Sequence, residues 1–208
     1  MKKRTLTILI AVALVVVVAI GGTLAWLTDK TDPVTNTFTV GDIDIDLSET
    51  WNTDNNGDNI NDSWTAQLVP GMNLTKDPVV TVKEGSEKCY LFVKVDESNW
   101  PQFKEDDEET LKVKYEIGNG WAQLNDDSGN AITGVYYRTV EASDSDQPFG
   151  VLKNNTVYVS QNLTKADLGQ ITQSPTLAFT AYAVQYMKDN NNSFTPSEAW
   201  ENAQDASE

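Results

Sequence analysis

The sequence contains no histidine. That removes the Ser–His–Asp and Cys–His catalytic routes, the H-E-x-x-H zinc motif and most zinc chemistry. It contains one cysteine, Cys89. No intramolecular disulfide can form, and a lone thiolate builds no metal site. Cys89 lies inside KCYLFVKV, a strand-like run, and reads as a buried, inert thiol. Positive charge is scarce: 15 Lys and Arg stand against 31 Asp and Glu. Such a surface repels nucleic acid and anionic membrane. It suits solubility, or contact with cations or a cationic polymer. There is no glycine-rich phosphate loop, no repeat of fixed period and no βαβ rhythm. Carboxylates are numerous enough to supply a pair for glycoside hydrolysis. Nearly all of them fall in loops or on alternating outer strand positions, where they read as solvated surface. The chain is read as a non-enzyme.

Long hydrophobic runs are absent with one exception. Residues 1–25 read MKKRTLTILIAVALVVVVAIGGTLA. Three positive charges precede an apolar stretch, and small residues follow. That is the layout of a signal peptide, with Thr23 and Ala25 in the two positions a signal peptidase reads. Cleavage is expected between Ala25 and Trp26. The rival reading is a retained anchor, since residues 6–27 come close to the roughly 20 apolar residues of a span. Any membrane contact is expected only through this segment while uncleaved. Its removal takes away 25 of 208 residues, with Lys2, Lys3 and Arg4, and leaves 183 residues at a formal charge of −19. That is enough chain for one substantial core.

The remainder reads as sheet. In TNTFTVGDIDIDL, residues 35–47, Phe38 and Val40 share one face, and Ile43, Ile45 and Leu47 share one beyond a phase shift at Gly41–Asp42. Asp42, Asp44 and Asp46 then face water. Residues 79–82 form a strand after a Pro70–Gly71 turn, ending at Glu84–Gly85. Residues 88–95 are the strongest strand, apolar enough for a central position. Residues 111–117, 121–124, 132–140 and 156–159 follow as further strands. The connections at 99–110, 125–130 and 141–147 are polar or acidic. Residues 162–169 hold one or two helical turns. Residues 176–187, TLAFTAYAVQYM, alternate as a strand, and Ser197 is placed to cap a short helix from Glu198. Eight or more short strands predict an all-β antiparallel sandwich with short peripheral helices, a single domain over residues 40–208.

Two binding motifs stand out. DNNGDNIND, residues 54–62, puts Asp54, Asn56, Asp58 and Asp62 at offsets 1, 3, 5 and 9, with the Ile60 carbonyl at 7. Those are calcium-loop positions. Offset 6 is Asn59 rather than glycine, and offset 12 is Thr65 rather than glutamate. A weak calcium loop outside the EF-hand class and a plain Asn/Asp turn both fit. Asp126–Asp127–Ser128 and Asp144–Ser145–Asp146 are weaker candidates. The six tryptophans, Trp64, Trp100, Trp121 and Trp200 among them, offer either a carbohydrate platform or core and rim packing.

Four segments in order carry a resemblance: the apolar run ending in GGTLAW before NTFTVGDIDIDL, then VPGMNLTKDPVVTVKEG, KCYLFVKV and LAFTAYAVQYMKDNNNSFTPSEAW. Together they resemble the TasA and camelysin (CalY) family of Gram-positive bacteria, exported through a SipW-type signal peptidase. Residues 100–175 carry little of the likeness. The resemblance implies a jelly-roll-like β-sandwich, secretion to the extracellular matrix or cell surface, and a role as a biofilm-matrix fibre subunit. It implies a homopolymer, with other matrix proteins as further partners. In such fibres one subunit's N-terminal segment completes the next subunit's sheet. Here that donor is residues 26–39, anchored by Trp26, Leu27, Val34 and Phe38, with Pro33 removing one backbone donor. Camelysin-like proteins have been described as metalloproteases; without histidine this chain departs from that role. The alternative function is a monomeric, calcium-dependent extracellular binding or adhesion module.

Overall fold

The computed structural model describes residues 42–50 and 66–205. They form ten strands: β1 (Ile45–Ser48), β2 (Leu74–Thr75), β3 (Val79–Val82), β4 (Cys89–Ser98), β5 (Val113–Ile117), β6 (Ala122–Asn125), β7 (Ala131–Val140), β8 (Gln147–Gly150), β9 (Leu152–Val159) and β10 (Thr176–Gln185). Two short helices accompany them, α1 (Lys165–Leu168) and α2 (Pro196–Asp205). The fold is antiparallel and all-β, as the alternation predicted.

The described residues form three sheets, ordered β10-β4-β7-β6, β1-β3-β8 and β2-β9-β5. The two three-stranded sheets are successive halves of one layer. Between them the ladder continues through Val151 N–H to the Pro78 carbonyl and Lys76 N–H to the Asn155 carbonyl, both 2.9 Å. The four-stranded sheet is the opposing layer, and β1 packs across from β10. The pairings are long-range and nested: Ile45 with Val82, Cys89 with Val140 and with Gln185, Tyr115 with Val157.

β4 is central because its sequence permits burial on both faces. Cys89, Leu91 and Val93 point between the layers and join Val80, Val82, Val140 and Val151. Tyr90 and Phe92 point the other way, against Leu124, Val135 and the α2 residues Ala199, Trp200 and Ala203. Leu91 and Phe92 are both 0% exposed, worth about 1.5–3 kcal/mol each in transfer terms. Trp200 stands edge-on to Tyr182 at 5.2 Å and tilted against Phe92 at 5.4 Å. A third cluster, Val113, Leu152, Val157, Val159 and Leu163, fills the β5–β9 end, with Trp100 at its margin. The alternation of β1 also holds: Ile43, Ile45 and Leu47 pack inward, and Asp42, Asp44 and Asp46 are exposed.

Three local expectations need correction. Gln147, read as the end of the acidic loop 141–147, instead opens a strand, residues 147–150. Pro148 is tolerated there because β8 pairs only with β3, leaving the missing N–H without a ladder partner to lose. β9 begins at Leu152, four residues before the predicted start, because Asn154 and Asn155 at φ 55° and 52° bulge the strand without ending it. The cap of α2 is Thr195, not Ser197. Its hydroxyl accepts from Glu198 N–H at 3.2 Å, and the Glu198 carboxylate accepts from Thr195 N–H at 2.9 Å. Pro196 therefore takes the first helical position.

Candidate functional site

The cleavage residues Ala25 and Trp26, the donor anchors Trp26, Leu27, Val34 and Phe38, and the calcium-loop residues Asp54, Asn56, Asp58, Ile60 and Asp62 lie outside the described residues.

Among the described residues, no three His, Cys, Asp or Glu side chains converge to hold a metal ion. Of the two weaker acidic candidates, the first closes a turn and the second ties its loop to the end of β3. Asp126 accepts from Ser128 N–H at 2.9 Å, from Asn130 N–H at 2.8 Å and from the Asn130 amide at 3.2 Å. Those bonds, the Asn130 backbone first, hold its carboxyl below the ordinary aspartate range. Asp146 accepts from Glu84 N–H at 2.9 Å and Lys83 Nζ at 3.2 Å, which lowers its pKa as well. Trp121 and Trp200 are buried and Trp100 is half-buried against Tyr115, so these three pack core or rim. Cys89 is 0% exposed, and burial pushes its thiol up to about 11, which keeps it protonated and unreactive.

The distinctive surface is a sheet edge. An edge strand offers unpaired N–H and C=O groups, and proteins blunt it with charge, proline, shortness or bulges. Here the outer strands differ sharply in that respect. β1 carries Asp46, β5 carries Lys114 and Glu116, and β8 carries Pro148. β2 has two residues, and β6 has four with a register shift. β10 has none of these devices. It runs ten residues, TLAFTAYAVQ, with no charge, proline or glycine, and every residue pairs with β4 in unbroken register. Its opposite side has no partner among the described strands. Leu177, Phe179, Ala181 and Ala183 look into the sandwich and Tyr182 and Val184 toward α2, all only half-buried.

The chain positions this edge by simple means. Period-two alternation of apolar residues, with Thr and Ala between them, makes a strand acceptable on both faces. Helix α2 then clamps the outer face through Trp200. β1, into which residues 26–39 lead, lies across from β10.

Compared with protein-family models, with curated proteins and with solved structures, the chain matches none.

Proposed function

We propose that the chain is a secreted structural subunit that assembles into matrix or surface fibres by strand addition, residues 26–39 of one copy pairing with the β10 edge of another. The observation that carries this reading is β10 itself. It is the one outer strand among those described that is long, uncharged and free of proline, glycine and bulge. Backbone hydrogen bonds would give affinity there. The half-buried Leu177, Phe179, Ala181 and Ala183 would meet the apolar residues of the incoming segment. Trp26, Leu27, Val34 and Phe38 are the anchors in that segment, and the Thr and Asn residues between them suit an extended backbone. The signal-like residues 1–25 support export, and cleavage after Ala25 would free the donor.

Electron microscopy and sedimentation of protein starting at Trp26, beside protein lacking residues 26–39, test this. The longer form is expected to give fibres and the shorter form monomers. Thr180→Lys, which places a charge on the exposed face of β10, is expected to suppress fibres while the donor remains intact. A longer form that stays monomeric across protein concentration, pH and calcium refutes polymerisation. Fibres that persist in Thr180→Lys move the acceptor to another edge.

A further inference from the structure

Only two arginines occur in the chain, Arg4 and Arg138. Arg138 lies on β7 between Tyr136 and Val140, two residues from each, on the face that looks between the layers. Its guanidinium carbon is 3.8 Å from the centroid of the Phe149 ring and 5.4 Å from that of Trp121. It is therefore held between an aromatic from β8 and one from the segment leading into β6. The Trp121 indole N–H donates to the Gly150 carbonyl at 2.9 Å, which fixes that ring across the two layers. On a third side is Gly120, at φ +86°, where a Cβ would stand only 3.1 Å from Nη2. The guanidinium plane is thus locked by its surroundings.

Yet no carboxylate among the described residues pairs with it. Arg138 Nε is buried without a hydrogen-bond partner. Neither Nη donates to any described group. Seven lysines make ion pairs with carboxylates, in a chain with 31 acidic residues to choose from. Arg138 has none among the described residues. A buried polar group without a partner in a folded protein asks for an explanation, and a missing ligand is one. Desolvation lowers the Arg138 pKa from its ordinary value, but an arginine stays charged at any working pH. A charge that is partly desolvated, immobilised and unpaired is costly until an anion arrives. Once locked between rings, the planar fork has little rotational entropy left to lose on binding.

We propose that Arg138 is a carboxylate-binding group, its two Nη atoms forming a bidentate fork for a planar carboxylate from outside the described fold. The ring stacking and the close Gly120 backbone hold the fork in place. At a formal charge of −16 the chain does not attract anions at long range. Whatever is held here is held by the fork and its walls. This site is independent of the β10 edge. Arg138 lies toward the β6 and β8 side of the sandwich, and β10 and β1 form the other side.

The test is a titration of the full chain with sodium acetate, followed by NMR of the Arg138 Nε–H and the Trp121 indole N–H, with sodium chloride at matched ionic strength as control. The expected result is a saturable shift of both resonances with acetate and not with chloride. Arg138→Lys keeps the charge but not the fork, and is expected to weaken acetate binding about tenfold or more. A second arm asks where the carboxylate comes from. Self-association that is lost in Arg138→Lys and competed by acetate assigns it to a second copy of the chain. Acetate binding without any effect on association assigns it to a free carboxylate ligand. Equal responses to acetate and chloride, or none to either, overturn the proposal. If the variant fails to fold, the titration of the unaltered chain still decides.

Discussion

Gly134→Ala should be among the most damaging substitutions in the described fold that alter only one atom. Gly134 sits within β7 at φ +74°, and a Cβ there would stand 2.5 Å from the Val95 carbonyl oxygen of β4. Real Cβ atoms do not come that close to backbone. Two costs combine. Holding an L-residue in the left-handed region costs about 1–2 kcal/mol. Forcing a methyl into packed backbone costs about 1–3 kcal/mol, because β4 or β7 must give way. The expected loss is roughly 2–5 kcal/mol, against a typical total of about 5–15 kcal/mol. Gly129 supplies the control. It has φ +85° and nothing within 4 Å of an added Cβ, so Gly129→Ala should show only the conformational cost. Urea unfolding followed by circular dichroism reads both. With a slope of about 2 kcal/mol/M, the Gly134→Ala midpoint should fall by about 1–2.5 M and the Gly129→Ala midpoint by about 0.5–1 M. Equal shifts for the two variants would refute the clash at Val95. The position matters because β7 is displaced here. Two steps along β6 match five along β7, Gln123 facing Tyr136 and Asn125 facing Ala131. The Gln123 amide donates to the freed Ile132 and Val135 carbonyls at 2.7 and 2.9 Å.

Other outcomes follow from the same structure. Trp200→Ala should cost about 3–5 kcal/mol in urea unfolding, since the ring joins α2 to Phe92 and Tyr182. Cys89 should resist alkylation at pH 8 in the folded chain and react fully in denaturant; mass spectrometry before and after unfolding reads this. Asp126 has a folded pKa below its unfolded value of about 3.9. Its contribution to stability is therefore complete above that value and is lost as pH falls through the folded one. Asp126→Ala should melt below wild type at neutral pH, and the two melting temperatures should converge as pH falls through the lowered folded pKa.

Much of the fold was legible because burial leaves periodic traces. Residues 79–82 were placed to the residue, and KCYLFVKV was placed at the centre of a sheet because only a strand covered on both faces tolerates so many large apolar neighbours. The 176–187 segment showed both of its faces. What escaped notice was what local sequence disguises. Pro148 argues against a strand unless the strand is known to be an edge. Asn154 and Asn155 look like a turn rather than a bulge. Ser197 and Thr195 are equally good caps until the helix start is fixed. The edge character of β10 is not local at all, since it depends on β4 taking β7 as its other partner. Arg138 did leave a sign: the one arginine beyond residue 25, at an inward position of an alternating strand. The donor and calcium readings rest on residues outside the described ones.

The position of β4 also imposes an order of events. Its two partners, β7 and β10, both come later in the chain, and Cys89 pairs with Gln185. A chain that emerges from the ribosome N-terminus first therefore presents β4, rich in large apolar residues, long before its sheet partners can cover it. Such distant pairings fold slowly, and the exposed strand is open to wrong partners meanwhile. The core cannot close until residue 185 is out. The same delay makes the interval between emergence and closure the time when it most needs protection.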